Sequence, residues 1–145
     1  MEWAALVTWV LTAGGGFFLL GLWLKNGGMR QADAPDTRIR TGRILSHFAL
    51  AAIGLVLWIV YVATDSEALA WIAFVLLALV ALLGFTMLAI WLGQRRRPAA
   101  AMSAGGNPEG AAEQSFPTPV VVLHGVLAAT TLVLVLLTAA GVGGS

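Results

Sequence analysis

The sequence predicts an all-α integral membrane protein, a four-helix bundle formed by one transmembrane domain that spans 1–145. Hydrophobic residues make up 59% of the chain and charged residues 10%, a composition that excludes an ordinary soluble domain. Four apolar runs, at about 3–24, 45–63, 68–92 and 119–141, are each long enough to cross a hydrocarbon core roughly 30 Å thick. All basic residues lie in two of the three connections between these runs.

The first run begins with an acid, Glu2, and lacks a basic n-region, so it is interpreted as a membrane span and not as a removable signal peptide. Its "GGG" at 14–16 is expected to weaken or bend the helix near the middle of the membrane. The second and third runs are separated only by "TDSE" at 64–67, which predicts a helical hairpin. Residues 95–118 are rich in Ala, Gly and Pro and predict a flexible linker before the fourth run.

The distribution of charge predicts the orientation in the membrane. Every Lys and Arg lies at 25–43 or 95–97, whereas the 64–67 connection has two acids and no base. The positive-inside bias therefore places the two basic connections in the cytoplasm and both termini outside. Aromatic residues near the ends of the runs are interpreted as interfacial belts, and Trp9 as a packing residue. The belt residues are Trp3, Trp58, Tyr61 and Trp71 at the outer side and Trp23 and Trp91 at the inner side.

The chain has two histidines, and both lie just inside the start of an apolar run. His47 opens "HFALAAIG" in the second run and His124 opens "HGVLAATT" in the fourth. The two segments align as His, Leu at +3, Ala at +4 and a small residue at +7. The first and third runs also end alike, in "LLGLWLK" and "MLAIWLGQ". These matches predict two repeated helical hairpins with both imidazoles at one depth.

Two histidines at the same depth on separate helices favour axial ligation of one b-type haem near the cytoplasmic face. Arg43 and Arg40 lie four and seven residues before His47 on the same helix face, where they are expected to pair with haem propionates. Small residues one and two turns after each histidine are expected to leave room for the macrocycle. They are Ala51 and Gly54 beside His47, and Ala128 and Thr131 beside His124.

Other readings remain open. Each histidine could simply hydrogen-bond a neighbouring helix, and the protein could be a non-catalytic scaffold or accessory subunit of a larger membrane complex, or a homo-oligomer. A non-haem metal site is disfavoured, because such sites use three or four ligands and the chain has no cysteine. A solute transporter is disfavoured, because the apolar runs lack the polar residues that would line its path. No nucleic-acid role is indicated, since "RRR" at 95–97 is a topological anchor.

With one histidine on each of two inside-to-outside helices, His47 and His124, the chain resembles small transmembrane b-type cytochromes with bis-histidine haems. That resemblance implies a haem-binding four-helix bundle. The ascorbate-reducible cytochromes have a second, outer histidine pair that this chain lacks. "VVVLHGVLAATTLVLVLLTAAG" also resembles the last helix of uncharacterised small four-helix membrane proteins from actinobacteria, and the abundance of Arg, Ala and Gly is typical of such bacteria. A bacterial inner-membrane location is therefore expected.

Overall fold

Four long α-helices form a bundle in the computed structural model, which describes residues 1–31, 39–96 and 111–142. The helices are α1 (Glu2–Lys25), α2 (Thr41–Thr64), α3 (Glu67–Arg95) and α4 (Thr118–Ala139), and a short 3₁₀ helix, Ala112–Ser115, precedes α4. No strand occurs in these ranges. Each of the four helices is long and apolar enough to cross a membrane. The predicted all-α four-helix fold of a multi-pass membrane protein is therefore confirmed.

The four helices are arranged in a ring, in which α1 lies diagonally opposite α3 and α2 lies diagonally opposite α4. The principal contacts join α1 to α4 and α2 to α3, with lesser contacts between α1 and α2 and between α3 and α4. In the described ranges α2 and α4 make no close backbone contact with each other. Side chains of α2 and α4 can therefore meet only across the centre of the bundle.

One end of the bundle carries the basic residues that the structure describes, and we call it the basic end. It includes Lys25, Arg40, Arg43 and Arg95, while Arg38 and Arg97 lie outside the described residues. Helix α2 begins at Thr41, one turn before the apolar run, so that Arg43 lies within its first turn. Long cationic side chains are tolerated there because the charged group reaches past the apolar surface to water.

The two halves of the sequence align in one register, and the contacts of the two histidines follow the same register. Residues of α1 and α3 that occupy equivalent positions differ by 68 in number, and those of α2 and α4 by 77. With these offsets, "GFFLLGLWL" at 16–24 matches "GFTMLAIWL" at 84–92 at five of nine positions, and 47–58 matches 124–135 at seven of twelve. Equivalent positions also share burial, as Ala5 and Ala73 are both fully buried. The chain is built from two similar helical hairpins.

The half of the bundle away from the basic end has a well-packed apolar core. Trp9 and Trp58 are 2% and 0% exposed, and their rings lie 6.3 Å apart. The Trp58 indole N–H donates to the Glu2 carbonyl at 3.3 Å, which ties the end of α2 to the start of α1. The interpretation of Trp9 as a packing residue is confirmed.

The expected interfacial belts are only partly present. Trp3 and Trp71 are exposed, at 64% and 45%, whereas Trp58, Trp23 and Trp91 are 3% exposed or less. The assignment of the last three to lipid-facing belts is wrong, because each ring turns into the bundle. At the basic end, Trp23 lies beside Gly28 and Trp91 beside Glu113. At the other end, Trp58 packs against Trp9 and Tyr61.

A close contact between α1 and α2 gives a test of this core. The ring of Trp9 fills the space beside Gly54, where an added Cβ would lie 3.1 Å from a ring carbon. We expect Gly54→Val to destabilise the bundle by about 1–3 kcal/mol through overpacking. Unfolding in detergent measures this. The control, Gly21→Val, has open space around it and should change stability by less than about 1 kcal/mol.

Candidate functional site: two imidazoles across the bundle

His47 and His124 occupy the same position in their helices. Each lies six residues after the first residue of its helix, Thr41 in α2 and Thr118 in α4. A rise of 1.5 Å per residue puts both about 9 Å from the basic end of their helices. The prediction of two histidines at one depth is confirmed.

His47 lies against α3. Its Nδ1 is 3.0 Å from the carbonyl oxygen of Val80, and its Cε1 would be 3.2 Å from a Cβ built on Gly84. In an α-helix the carbonyl of residue i is bonded to the N–H of residue i+4, so the side chain at i+4 stands beside that carbonyl. Glycine at position 84 is what lets the imidazole reach the Val80 oxygen.

His124 makes the same contacts with α1. Its Nδ1 is 2.9 Å from the carbonyl oxygen of Thr12, and its Cε1 would be 3.2 Å from a Cβ built on Gly16. Gly15 borders the same ring. Helix α1 runs unbroken through the three glycines, so the expected weakening does not interrupt it. Two of these glycines, Gly15 and Gly16, contact the imidazole of His124.

The two hydrogen bonds define the tautomer of both rings. A carbonyl oxygen can only accept, so Nδ1 of His47 and of His124 must carry the proton and donate it. In the neutral ring each Nε2 then keeps its lone pair, and this is the form in which imidazole binds a metal. Within the described residues neither Nε2 takes part in a hydrogen bond. A second hydrogen bond that orients a histidine in this way is typical of metal-ligating imidazoles.

The two rings are neighbours across the α2–α4 diagonal. Their centroids are 6.3 Å apart and their planes are inclined at 58°. Two bonds of about 2.0–2.1 Å from ring nitrogens to one metal ion would separate imidazole centroids by about 6.3 Å when the three atoms are in line. The observed centroid separation equals that of two imidazoles bound in line to one metal ion.

Among the described residues, the site brings together two histidines. In the described part of the chain, no group of three or more His, Cys, Asp and Glu side chains comes together. A structural metal ion is commonly held by four protein ligands and a catalytic one by three. Two opposed imidazoles suit an ion whose other ligands come with it, as in a metalloporphyrin.

Arg40 and Arg43, the predicted propionate partners, lie between the histidine level and the basic end. Arg43 is half-buried and lies one turn before His47, on the same face of α2. Arg40 is exposed and immediately precedes α2. Because α2 begins at Thr41, the expected position of Arg40 on the helix face of His47 is wrong. The pairing of the two arginines with haem propionates stays a prediction.

The space expected beyond the histidines is already filled. Gly54 is in contact with the ring of Trp9, and the Thr131 hydroxyl is 3.4 Å from that of Thr12. The expectation that these positions leave room for a macrocycle is therefore wrong at Gly54 and Thr131.

Sequence reasoning missed the residues that orient the imidazoles. Gly16 and Gly84 are equivalent in the repeat, and the shared "GF" at 16–17 and 84–85 was the available signal. The carbonyls of Thr12 and Val80 have no signature in the sequence, because every residue has a carbonyl.

Comparison of the sequence and the structure with protein-family models, curated proteins and solved structures finds no match.

Proposed function

We propose that this is a haem-binding or redox-accessory membrane protein that holds one b-type haem between Nε2 of His47 and Nε2 of His124. One observation carries the proposal: two opposed imidazoles with centroids 6.3 Å apart, each donating Nδ1–H to a backbone carbonyl. A histidine that served only to join two helices would need no second imidazole facing it. Here the same arrangement occurs twice, at equivalent positions of the repeat.

The protein's own groups would perform two tasks. The carbonyls of Thr12 and Val80 hold both rings in the metal-binding tautomer and raise the basicity of Nε2. Gly16 and Gly84 let the Nδ1–Cε1 edge of each ring come close to α1 and α3. A bound haem would supply one-electron oxidation and reduction at iron.

We also propose that the basic end faces the cytoplasm of a bacterium, with both termini outside the inner membrane. The support is the separation of charge, since Glu2, Asp65 and Glu67 all lie at the opposite end from the basic residues. The chain has only two histidines, so it can hold one bis-histidine haem. The outer half is filled by the Trp9 and Trp58 core. Electron exchange would then take place at the cytoplasmic side.

The absorption spectrum of protein purified in mild detergent from cells supplied with a haem precursor tests the proposal. We expect a Soret band with the low-spin spectrum of two axial imidazoles and one haem per chain by pyridine haemochromogen assay. Metal analysis of the same sample separates haem iron from a bare copper or zinc ion. A colourless, metal-free protein would contradict the proposal and favour the scaffold or accessory-subunit reading.

Arg43 gives a separate prediction. If its guanidinium pairs with a haem carboxylate, Arg43→Gln should weaken haem binding about tenfold, because a charge-assisted hydrogen bond contributes roughly 1.5–3 kcal/mol. Titration of the haem-free protein with hemin measures the affinity. Arg96→Gln is the matched control, since this exposed residue immediately follows α3 and should leave the affinity unchanged. Equal affinities for both variants would remove Arg43 from the site.

A further inference from the structure

Thr41 and Thr118 are equivalent residues of the repeat, and each is the first residue of its helix, α2 or α4. The Thr118 hydroxyl accepts a hydrogen bond from the Arg95 guanidinium at 2.6 Å. The Thr41 hydroxyl is buried and has no hydrogen-bond partner among the described residues. A buried hydroxyl without a partner destabilises the protein, because it has lost its hydrogen bonds to water. The hydroxyl is therefore expected to serve a ligand, since the fold alone would favour an apolar side chain.

The two indoles at the basic end differ in the same way. The Trp91 N–H donates to the Glu113 carbonyl at 3.1 Å, so this part of the expected flexible linker is attached to the bundle, whereas 97–110 lie outside the described residues. Trp23 is 0% exposed, and its N–H has no acceptor among the described residues. The Arg95 guanidinium also lies 4.5 Å over the Trp91 ring, and the equivalent position of α1 is Gly27. The indole N–H and the threonine hydroxyl are thus both bonded in the second half of the chain and both without a partner in the first half.

The first turn of α2 also carries donors that the first turn of α4 lacks. The half-buried Arg43 has no hydrogen-bond or ion-pair partner among the described residues, and its equivalent in α4 is Val120. The Gly42 N–H precedes the hydrogen bonds of the helix and is free to donate, whereas its equivalent, Pro119, has no N–H. Free N–H groups and the helix dipole attract anions to the N-terminus of a helix. Helix α2 thus begins with a hydroxyl, an N–H and a guanidinium that can bind an anion, and α4 does not.

We infer that the first turn of α2 holds a haem carboxylate, with the Thr41 hydroxyl as a hydrogen-bond donor and Arg43 as the counter-ion. The inference rests on the proposed haem function and adds Thr41 to its binding residues. Thr41 lies six residues before His47, about 9 Å along the helix axis in the direction of the basic end. A carboxylate at this turn satisfies the buried hydroxyl and forms a charge-assisted hydrogen bond with the guanidinium. Because α4 has no equivalent turn, the carboxylate binds on the α2 side only.

The Thr41→Val variant tests this inference, because valine has nearly the shape of threonine and lacks the hydroxyl. In the haem-free protein we expect Thr41→Val to unfold at a higher temperature than the parent, since a buried hydroxyl without a partner has been removed. Titration with hemin should show about tenfold weaker binding to the variant. With hemin dimethyl ester, in which both carboxylates are neutral esters, the affinities of parent and variant should agree within about threefold.

Thr118→Val is the matched control, because its hydroxyl is already bonded to Arg95. It should gain no stability and should bind hemin with the affinity of the parent. Equal hemin affinities of the parent and Thr41→Val would overturn the carboxylate site and leave the haem function standing. If Thr41→Val also lost co-purified phosphatidylglycerol, the anion at this turn would be a lipid phosphate and not a haem carboxylate. A parent that bound neither hemin nor its dimethyl ester would overturn the haem function and this inference together.

Discussion

Replacing either imidazole is expected to abolish the low-spin haem spectrum. In His47→Ala and in His124→Ala only one axial ligand remains, so the Soret band should shift and fall to less than about a tenth of its parent intensity per chain. Because the two rings are equivalent in the repeat and make the same contacts, the two variants should lose the spectrum to the same extent. Absorption and electron paramagnetic resonance spectra of the purified variants measure this.

These substitutions should leave the fold intact. The Thr12 and Val80 carbonyls keep their own helical hydrogen bonds when an imidazole is removed, so no buried acceptor is left unsatisfied. Added imidazole should restore the low-spin spectrum by filling the vacated position. Thr130→Ala is the control on α4, since that exposed hydroxyl bonds only to its own helix. A full Soret band in both histidine variants would show that the haem, if present, is bound elsewhere.

Much of the fold could be predicted from the sequence because lipid imposes a simple rule. A backbone in hydrocarbon must satisfy its own hydrogen bonds, so an apolar run of about 20 residues predicts a helix with little ambiguity. The register of His47 and His124 followed for the same reason, because each lies a fixed distance from a polar boundary. Hydropathy thus predicts depth along a helix well.

Hydropathy does not predict the direction in which a side chain points around the helix. Trp23 and Trp91 lie at helix ends, as belt residues do, yet they are buried. In a membrane helix an apolar side chain is tolerated both on the face toward lipid and on the face toward the bundle. The sequence therefore does not distinguish a ring that points inward from one that points outward. Similarly, Glu113 lies in an Ala- and Gly-rich stretch typical of a linker, and only its hydrogen bonds to distant residues show that it is attached to the bundle.

Gly16 and Gly84, which contact the two imidazoles, are expected to matter for haem binding almost as much as the histidines themselves. A Cβ at Gly16 or Gly84 would lie 3.2 Å from a ring carbon of His124 or His47, which is tighter than an ordinary van der Waals contact. We expect Gly84→Ala to shift the His47 ring and weaken haem binding about tenfold, and Gly84→Leu to weaken it about a hundredfold, the range found when the partner that orients a ligand is lost. Gly16 substitutions should act alike on His124.

Alanine variants separate the effects on stability and on binding. Alanine favours a helix over glycine by up to about 1 kcal/mol, so Gly93→Ala, with open space around it, should unfold at the same temperature as the parent or a higher one and bind haem normally. In haem-free Gly84→Ala, crowding of the His47 ring and loss of its hydrogen bond to Val80 should offset that gain, so this variant should unfold at a lower temperature than Gly93→Ala. Melting curves and hemin titrations of the three proteins separate the two effects. If Gly84→Ala bound haem as tightly as Gly93→Ala, the close contact between the His47 imidazole and residue 84 would have no part in haem binding.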